Sequence, residues 1–253
     1  MKALLLKKIR KQTPLVLNIT NYVVMNWSAN CLLSIGASPL MAHAQEEMDE
    51  MTSLANSLVV NIGTLDSYWI QSMKLAMSLA KNKNKPVIFD PVGAGANRYR
   101  TETALDLIEA NTPTVIRGNA SEILSLAYQN SSTRGVDSSA ESHSAIEAGQ
   151  ELAKRFHTLV CISGSKDFII SESKILESET GHPLMTSVTG MGCALSSIIG
   201  AFCSVTDSVL EASYEAINFF GSVGERAQKE SLGTGSFSMK FLDHLYLESC
   251  NHE

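Results

Sequence analysis

The chain has 253 residues, 44% of them hydrophobic and 18% charged, with a formal net charge of −6. This balance fits a globular chain with a sizeable core and argues against a nucleic-acid partner. No apolar run approaches the ~20 residues of a membrane span, so no membrane association is expected.

Taken in chain order, short apolar runs alternate with helical patterns. Leu15–Leu17, Ser57–Ile62, Val87–Phe89, Thr114–Ile116 and Thr158–Ile162 read as strands. They lack polar alternation, as expected of a parallel sheet covered on both faces. Helical patterns lie near 22–35, 46–56, 66–83, 99–110, 120–128 and 140–156. Such alternation predicts a layered α/β fold with right-handed crossovers. The basic runs Lys7–Lys11 and Lys81–Lys85 read as solvated helix ends, and the Ser-rich stretch Asn130–Ala140 as a mobile loop. Phe168–Ile170 and Lys174–Leu176, split by Ser171-Glu172-Ser173, read as a hairpin on one edge. After Gly190 the pattern turns helical, near 191–205, 207–229 and 236–248. No repeat or linker interrupts this, so one domain over residues 1–253 is expected.

Five cysteines, at 31, 161, 193, 203 and 250, are odd in number and unpaired in spacing, which favours a reducing compartment. Cys31, Cys161 and Cys203 sit in apolar runs and read as inert buried thiols. The histidines fall in no metal-ligating spacing. The N-terminal run Ala3–Leu6 is too short for a signal-peptide core, so a cytoplasmic location is expected.

In open α/β sheets, ligands bind beyond the carboxyl ends of the strands. Here those ends run into Asn18-Ile19-Thr20-Asn21, Asn61-Ile62-Gly63-Thr64, Asp90-Pro91-Val92-Gly93-Ala94-Gly95, Arg117-Gly118-Asn119 and Ser163-Gly164-Ser165. Five polar or glycine-rich sets on one edge outline a site. Asp90 leaves a buried strand, where a carboxylate suits Mg²⁺. Arg117 suits a phosphate fork or a surface salt bridge. Glu122 opens the next helix, as a charge at the site or a first-turn acid. Asn21 reads equally as a helix N-cap, and Met41 reads first as core filler, the commoner fate of methionine. In Val188-Thr189-Gly190-Met191-Gly192-Cys193 two glycines precede a helix, which turns backbone amides towards an anion. The thiol of Cys193, ordinarily near ~8.5, is expected lower at a helix N-terminus, and an anion held in that cradle would oppose the shift. Metal, counter-charge and anion cradle are the parts phosphoryl transfer needs. The chain has no G-x-x-x-x-G-K-[ST], and Gly93-Ala94-Gly95 lacks the third glycine of a dinucleotide fingerprint.

These motifs resemble hydroxyethylthiazole kinases. The stretches that carry the likeness are Asn18–Val24, Ala29-Asn30, Gly36–Met41, Asn61–Leu65, Asp90–Gly95, Arg117–Ile123 and Val188–Cys193, in order along residues 12 to 240. The resemblance implies a ribokinase-like three-layer α/β/α fold with a central, mostly parallel sheet. It implies phosphorylation of the alcohol of 4-methyl-5-(2-hydroxyethyl)thiazole with ATP and Mg²⁺ in thiamine salvage, by a homotrimer with active sites between subunits. By motif, Asn21, Met41 and Gly190 would line the thiazole pocket, and Arg117 and Ser163 would contact ATP. Asp90 and Glu122 would serve the metal, while Cys193 would stand where related kinases carry an aspartate base. Leu17 replaces a frequent histidine, Met191 a usual threonine and Thr234 a common proline, and the first two bear on the shape of the pocket. The alternatives are a kinase for a hydroxymethylpyrimidine or pyridoxal alcohol, a covalent role for Cys193 with His182 as base, and a ligand-binding pseudokinase.

Overall fold

The computed structural model describes residues 2–128 and 138–250, with side chains described from 3 to 128 and from 143 to 250. The Asn130–Ala140 stretch, expected as a loop, lies outside the described residues up to position 137. Among the described residues the strands are β1 (Leu15–Ile19), β2 (Ser38–Met41), β3 (Ser57–Asn61), β4 (Val87–Asp90), β5 (Val115–Asn119), β6 (Leu159–Ser163), β7 (Asp167–Ile170) and β8 (Ile175–Ser178). They form one sheet in the order β2-β1-β3-β4-β5-β6-β7-β8. Every pairing from β2 to β6 is parallel, and β7 and β8 close one edge antiparallel, as the hairpin pattern predicts.

Helices α1 (Lys2–Gln12), α2 (Met25–Ser34), α8 (Met191–Cys203), α9 (Val209–Lys229) and α10 (Thr234–Cys250) share one hydrophobic cluster with the sheet. Helices α3 (Met48–Leu54), α4 (Ser67–Asn82), α5 (Arg98–Ala110), α6 (Ala120–Ala127) and α7 (Ser138–Phe156) share the other. The result is three layers, as expected for parallel strands buried on both faces. Two elements depart from the sequence reading. Strand β2 was not expected, because its four residues are only half-buried and include Pro39, which a sheet tolerates at an edge. Strand β5 runs on through Arg117 to Asn119 instead of stopping at Ile116, paired along that length with β6.

The period-2 alternation of the strands decides what each face receives. Val16, Val59, Ile88, Val115 and Cys161 enter the core beneath α8, while Leu17, Leu58, Phe89, Ile116 and Val160 enter the other. Two residues further along each strand on the α8 side come Asn18, Asn61, Asp90, Arg117 and Ser163. The apolar face of the sheet therefore turns polar at its carboxyl edge, on the side where α8 begins. The strand order also reverses here, since β1 lies between β2 and β3. Such a switch point opens a crevice beyond the strand ends.

Candidate active site

A directed chain of hydrogen bonds crosses the strand ends. The amide of Val23 donates to Asn21 Oδ1 at 3.1 Å, and Asn21 Nδ2 donates to Asn61 Oδ1 at 2.8 Å. Asn61 Nδ2 then donates to Asp90 Oδ2 at 2.9 Å, and Ser196 Oγ from α8 donates to the same oxygen at 2.8 Å. Each amide in the row gives its hydrogens towards Asp90, so the row ends on an acceptor-only carboxylate. Arg117 Nη1 stands 3.8 Å from that oxygen, and Arg117 Nη2 donates to Ser163 Oγ.

Asp90 is fully buried. Its carboxyl is pushed up to about 6, first by burial and further by Glu122, against the opposing pull of Arg117, Ser196 and Asn61. Desolvation thus outweighs one guanidinium and two hydrogen bonds. The reason is visible in the partners: all of them gather on Oδ2, and Oδ1 is buried with none. A bare, buried carboxylate oxygen is costly unless something else completes it. Among the described residues no three His, Cys, Asp or Glu side chains gather as a metal cage.

The start of α8 supplies the opposite charge. Gly190 is its N-cap, in the left-handed region at φ +86°, and no side chain caps the turn. The first amides of the helix are left to an outside acceptor. At Gly192 a Cβ would sit 2.6 Å from Arg117 Nη1, so the missing side chain is what admits the guanidinium. Arg117 is 8% exposed, and its Nε is buried without a partner. A cation pressed against a positive helix end is an unfavourable pairing until an anion lies between them.

Glu122 sits at the third position of α6 and forms a capping box: its Oε2 accepts from the amide of Asn119 at 2.8 Å. Its Oε1 accepts from the amide of Gly93 at 2.9 Å, which ties the loop after β4 to the helix after β5. The first-turn-acid reading is therefore right about its position, and the bond to Gly93 goes beyond it.

Cys193 is half-buried on the first turn of α8, and Asn21 Nδ2 points to its sulfur at 3.7 Å. Its thiol is pushed up to about 11, chiefly by burial and then by Asp90, over the lowering pull of Asn61, Arg117 and Asn21. This corrects the expected partial thiolate: desolvation and a neighbouring carboxylate override the helix N-terminus. Burial likewise raises the thiols of Cys31, Cys161 and Cys203 inside the core, as expected of inert cysteines. His182 Nδ1 accepts from the amide of Leu184, so that nitrogen caps the short turn Pro183–Ser187.

The structure thus brings Asn21, Asp90, Arg117, Ser163, Gly190 and Cys193 to one edge, with Glu122 beside them. Met41 lies one strand outward on β2, half-buried and paired in register with Asn18, whose Oδ1 accepts from Ser197 of α8. It faces the α8 side but stands outside the hydrogen-bonded set. Leu17 does not shape this crevice, because it faces the opposite core, fully buried. Met191 is buried in the core beneath α8. Sequence reasoning named Asn61 only as part of a loop and missed Ser196. The signal for Ser196 was its place one helical turn beyond Gly192 and Cys193, on the same face.

The Hydroxyethylthiazole kinase family model matches residues 6–249. This chain belongs to the hydroxyethylthiazole kinase family. A hydroxyethylthiazole kinase of Syntrophus aciditrophicus (strain SB) is 52% identical over 241 residues, 95% of this chain and 89% of that protein. One from Methanococcus maripaludis (strain C5 / ATCC BAA-1333) is 48% identical over 242 residues, 95% of this chain and 91% of that protein. The solved hydroxyethylthiazole kinase protein of Pyrococcus horikoshii OT3 superposes with a TM-score of 0.90 at 40% identity, covering 97% of this chain and 92% of that one. A ribokinase-like superfamily protein of Enterococcus faecalis V583 shares the fold, with a TM-score of 0.71 at 14% identity over 100% of this chain and 95% of that one. The hydroxyethylthiazole kinase family therefore carries this three-layer sheet, and the fold is ribokinase-like.

Proposed function

We propose that this chain transfers the γ-phosphoryl group of ATP to the hydroxyl of 4-methyl-5-(2-hydroxyethyl)thiazole, as thiamine salvage requires, with Mg²⁺ bound. The observation that carries the reading is a buried carboxylate with one bare oxygen, facing a guanidinium seated in the uncapped end of α8. Family membership supplies the substrate class.

The residues fit a magnesium ion. Asp90 and Glu122 would hold it, in keeping with its habit of taking one or two carboxylates and leaving the remaining positions to water and phosphate. When bound, it neutralises charge on the phosphate oxygens. Arg117, oriented by Ser163, presents its fork to the triphosphate, and the amides of Met191, Gly192 and Cys193 add donors on the same side. In-line transfer through a loose transition state asks chiefly for this positioning and charge. Asn21 orients the Cys193 thiol, whose sulfur holds the attacking alcohol by a weak hydrogen bond, while the alcohol's proton passes to a phosphate oxygen as the new P–O bond forms. Met41 and Gly190 form the wall against which the heterocycle lies.

A coupled ADP-release assay tests the reading. The thiazole alcohol should support turnover well above a hydroxymethylpyrimidine or a pyridoxal alcohol. ADP release with either of those in preference to the thiazole would replace this substrate with another. Turnover with none would defeat the kinase reading.

The working unit is proposed to be a homotrimer of single-domain subunits, with sites between neighbours, in the cytoplasm. Tyr22 and Val23 support it, being 63% and 64% exposed immediately after Asn21, whereas Cys31 and Leu32 of the next helix are buried. Light scattering coupled to the assay should find three copies in the active species. A fully active monomer would defeat this.

A further inference from the structure

Arg100 stands in the first turn of α5, where its amide donates to the capping Asn97 Oδ1 at 2.9 Å. A cation here faces the positive end of the helix dipole, so the position is poor for arginine unless its side chain is used elsewhere. It is used at three main-chain carbonyls. Nη1 donates to Ile62 at 2.7 Å and to Val92 at 2.8 Å, and Nη2 donates to Gly63 at 2.7 Å.

These acceptors belong to two loops, which leave the adjacent parallel strands β3 and β4. Both loops hold parts of the site. In the β4 loop the Gly93 amide, one residue past Val92, donates to Glu122 Oε1. In the β3 loop the Gly63 amide donates to Asn61 Oδ1 at 2.9 Å, and a Cβ on Gly63 would sit 2.4 Å from Asn21 Nδ2. Any shift of that loop therefore moves the Asn21–Asn61 pair. A planar fork reaches all three carbonyls from two nitrogens, which the single ammonium of lysine does not reproduce.

We propose that Arg100 is a positioning residue, whose guanidinium fixes the β3 and β4 loops against each other and so sets Glu122 and the Asn21–Asn61 pair for phosphoryl transfer. The proposal rests on the kinase reading. It requires no contact between Arg100 and substrate.

The test compares wild type with Arg100→Lys and Arg100→Met in steady-state kinetics and in amide hydrogen exchange of the ligand-free protein. Both variants should lose kcat on the order of 10²-fold, the scale of a misplacement near 1 Å, with KM for ATP little changed. The Gly63 and Gly93 amides should be protected in wild type and exchange markedly faster in the variants, while amides in the middle of β3 and β4 keep their protection. Wild-type kcat in Arg100→Lys would overturn the proposal, as would unprotected Gly63 and Gly93 amides in wild type, a result independent of whether a variant folds. If wild type transfers no phosphate to the thiazole alcohol, the kinase reading falls. The exchange data then still decide whether Arg100 fixes the two loops.

Discussion

Glu122→Gln is expected to lower turnover by about 10²-fold or more while leaving the fold intact, because it removes a charge near the metal and the triphosphate. The structural loss is small by comparison. Glu122 accepts one backbone amide on each oxygen, from Asn119 and from Gly93. Glutamine keeps one acceptor and turns an NH₂ towards the other amide, at a cost of ~1–3 kcal/mol. Turnover at limiting Mg²⁺ is the sharpest measurement, and a wild-type value there would count decisively against Glu122. A second readout needs no metal. Glu122 is one of the groups that raise the carboxyl of Asp90, behind burial, so deleting its charge should move Asp90 below its present value of about 6. In the metal-free protein the Asp90 carboxyl, followed by NMR, should titrate at lower pH in the variant than in wild type. An unchanged midpoint would mean that the two side chains do not sense each other.

Much of this site was legible because a buried parallel strand has few reasons to end in Asn, Asp or Arg. The alternation is what makes the reading exact to the residue. Val59 and Asn61, Ile88 and Asp90, Val115 and Arg117, and Cys161 and Ser163 share a parity, and the apolar member of each pair lies in the core under α8. The same parity, applied to Val16 and Leu17, would have sent Leu17 to the far core. Other features depend on tertiary structure that no local pattern carries. β2 becomes a strand only because β1 pairs with it. The thiol of Cys193 rises instead of falling chiefly because the fold buries it, and further because Asp90, 103 positions away in sequence, acts on it there. Arg100 resembles any exposed helix residue until the carbonyls of two loops are seen around it.

Cys193→Asp is expected to retain or raise turnover, and Cys193→Ala to reduce it without abolishing it. With its thiol pushed up to about 11, Cys193 is protonated at neutral pH and is a poor acceptor for a proton early in transfer. Its sulfur therefore orients the alcohol as a weak hydrogen-bond acceptor and does not take the proton, which passes to a phosphate oxygen late in transfer as the new P–O bond forms, so wild-type turnover should show no rise between pH 8 and 9 traceable to this group. Aspartate has nearly the same reach and a reference value near ~3.9. The burial and the Asp90 charge that lift the thiol would lift that carboxyl too, towards the range where a general base works best at neutral pH. The sign is definite: the Asp variant should lose activity as pH falls and its carboxylate takes a proton. General-base help is worth ~10²–10⁴-fold, so an Ala effect well below that range would leave Cys193 only the task of orienting the alcohol. A covalent role makes the opposite forecast, with both variants dead and a trapped adduct on Cys193 visible by mass spectrometry. The structure weighs against that adduct, since Asn21 is the hydrogen-bond partner of the sulfur and one ring nitrogen of His182 is already given to the amide of Leu184.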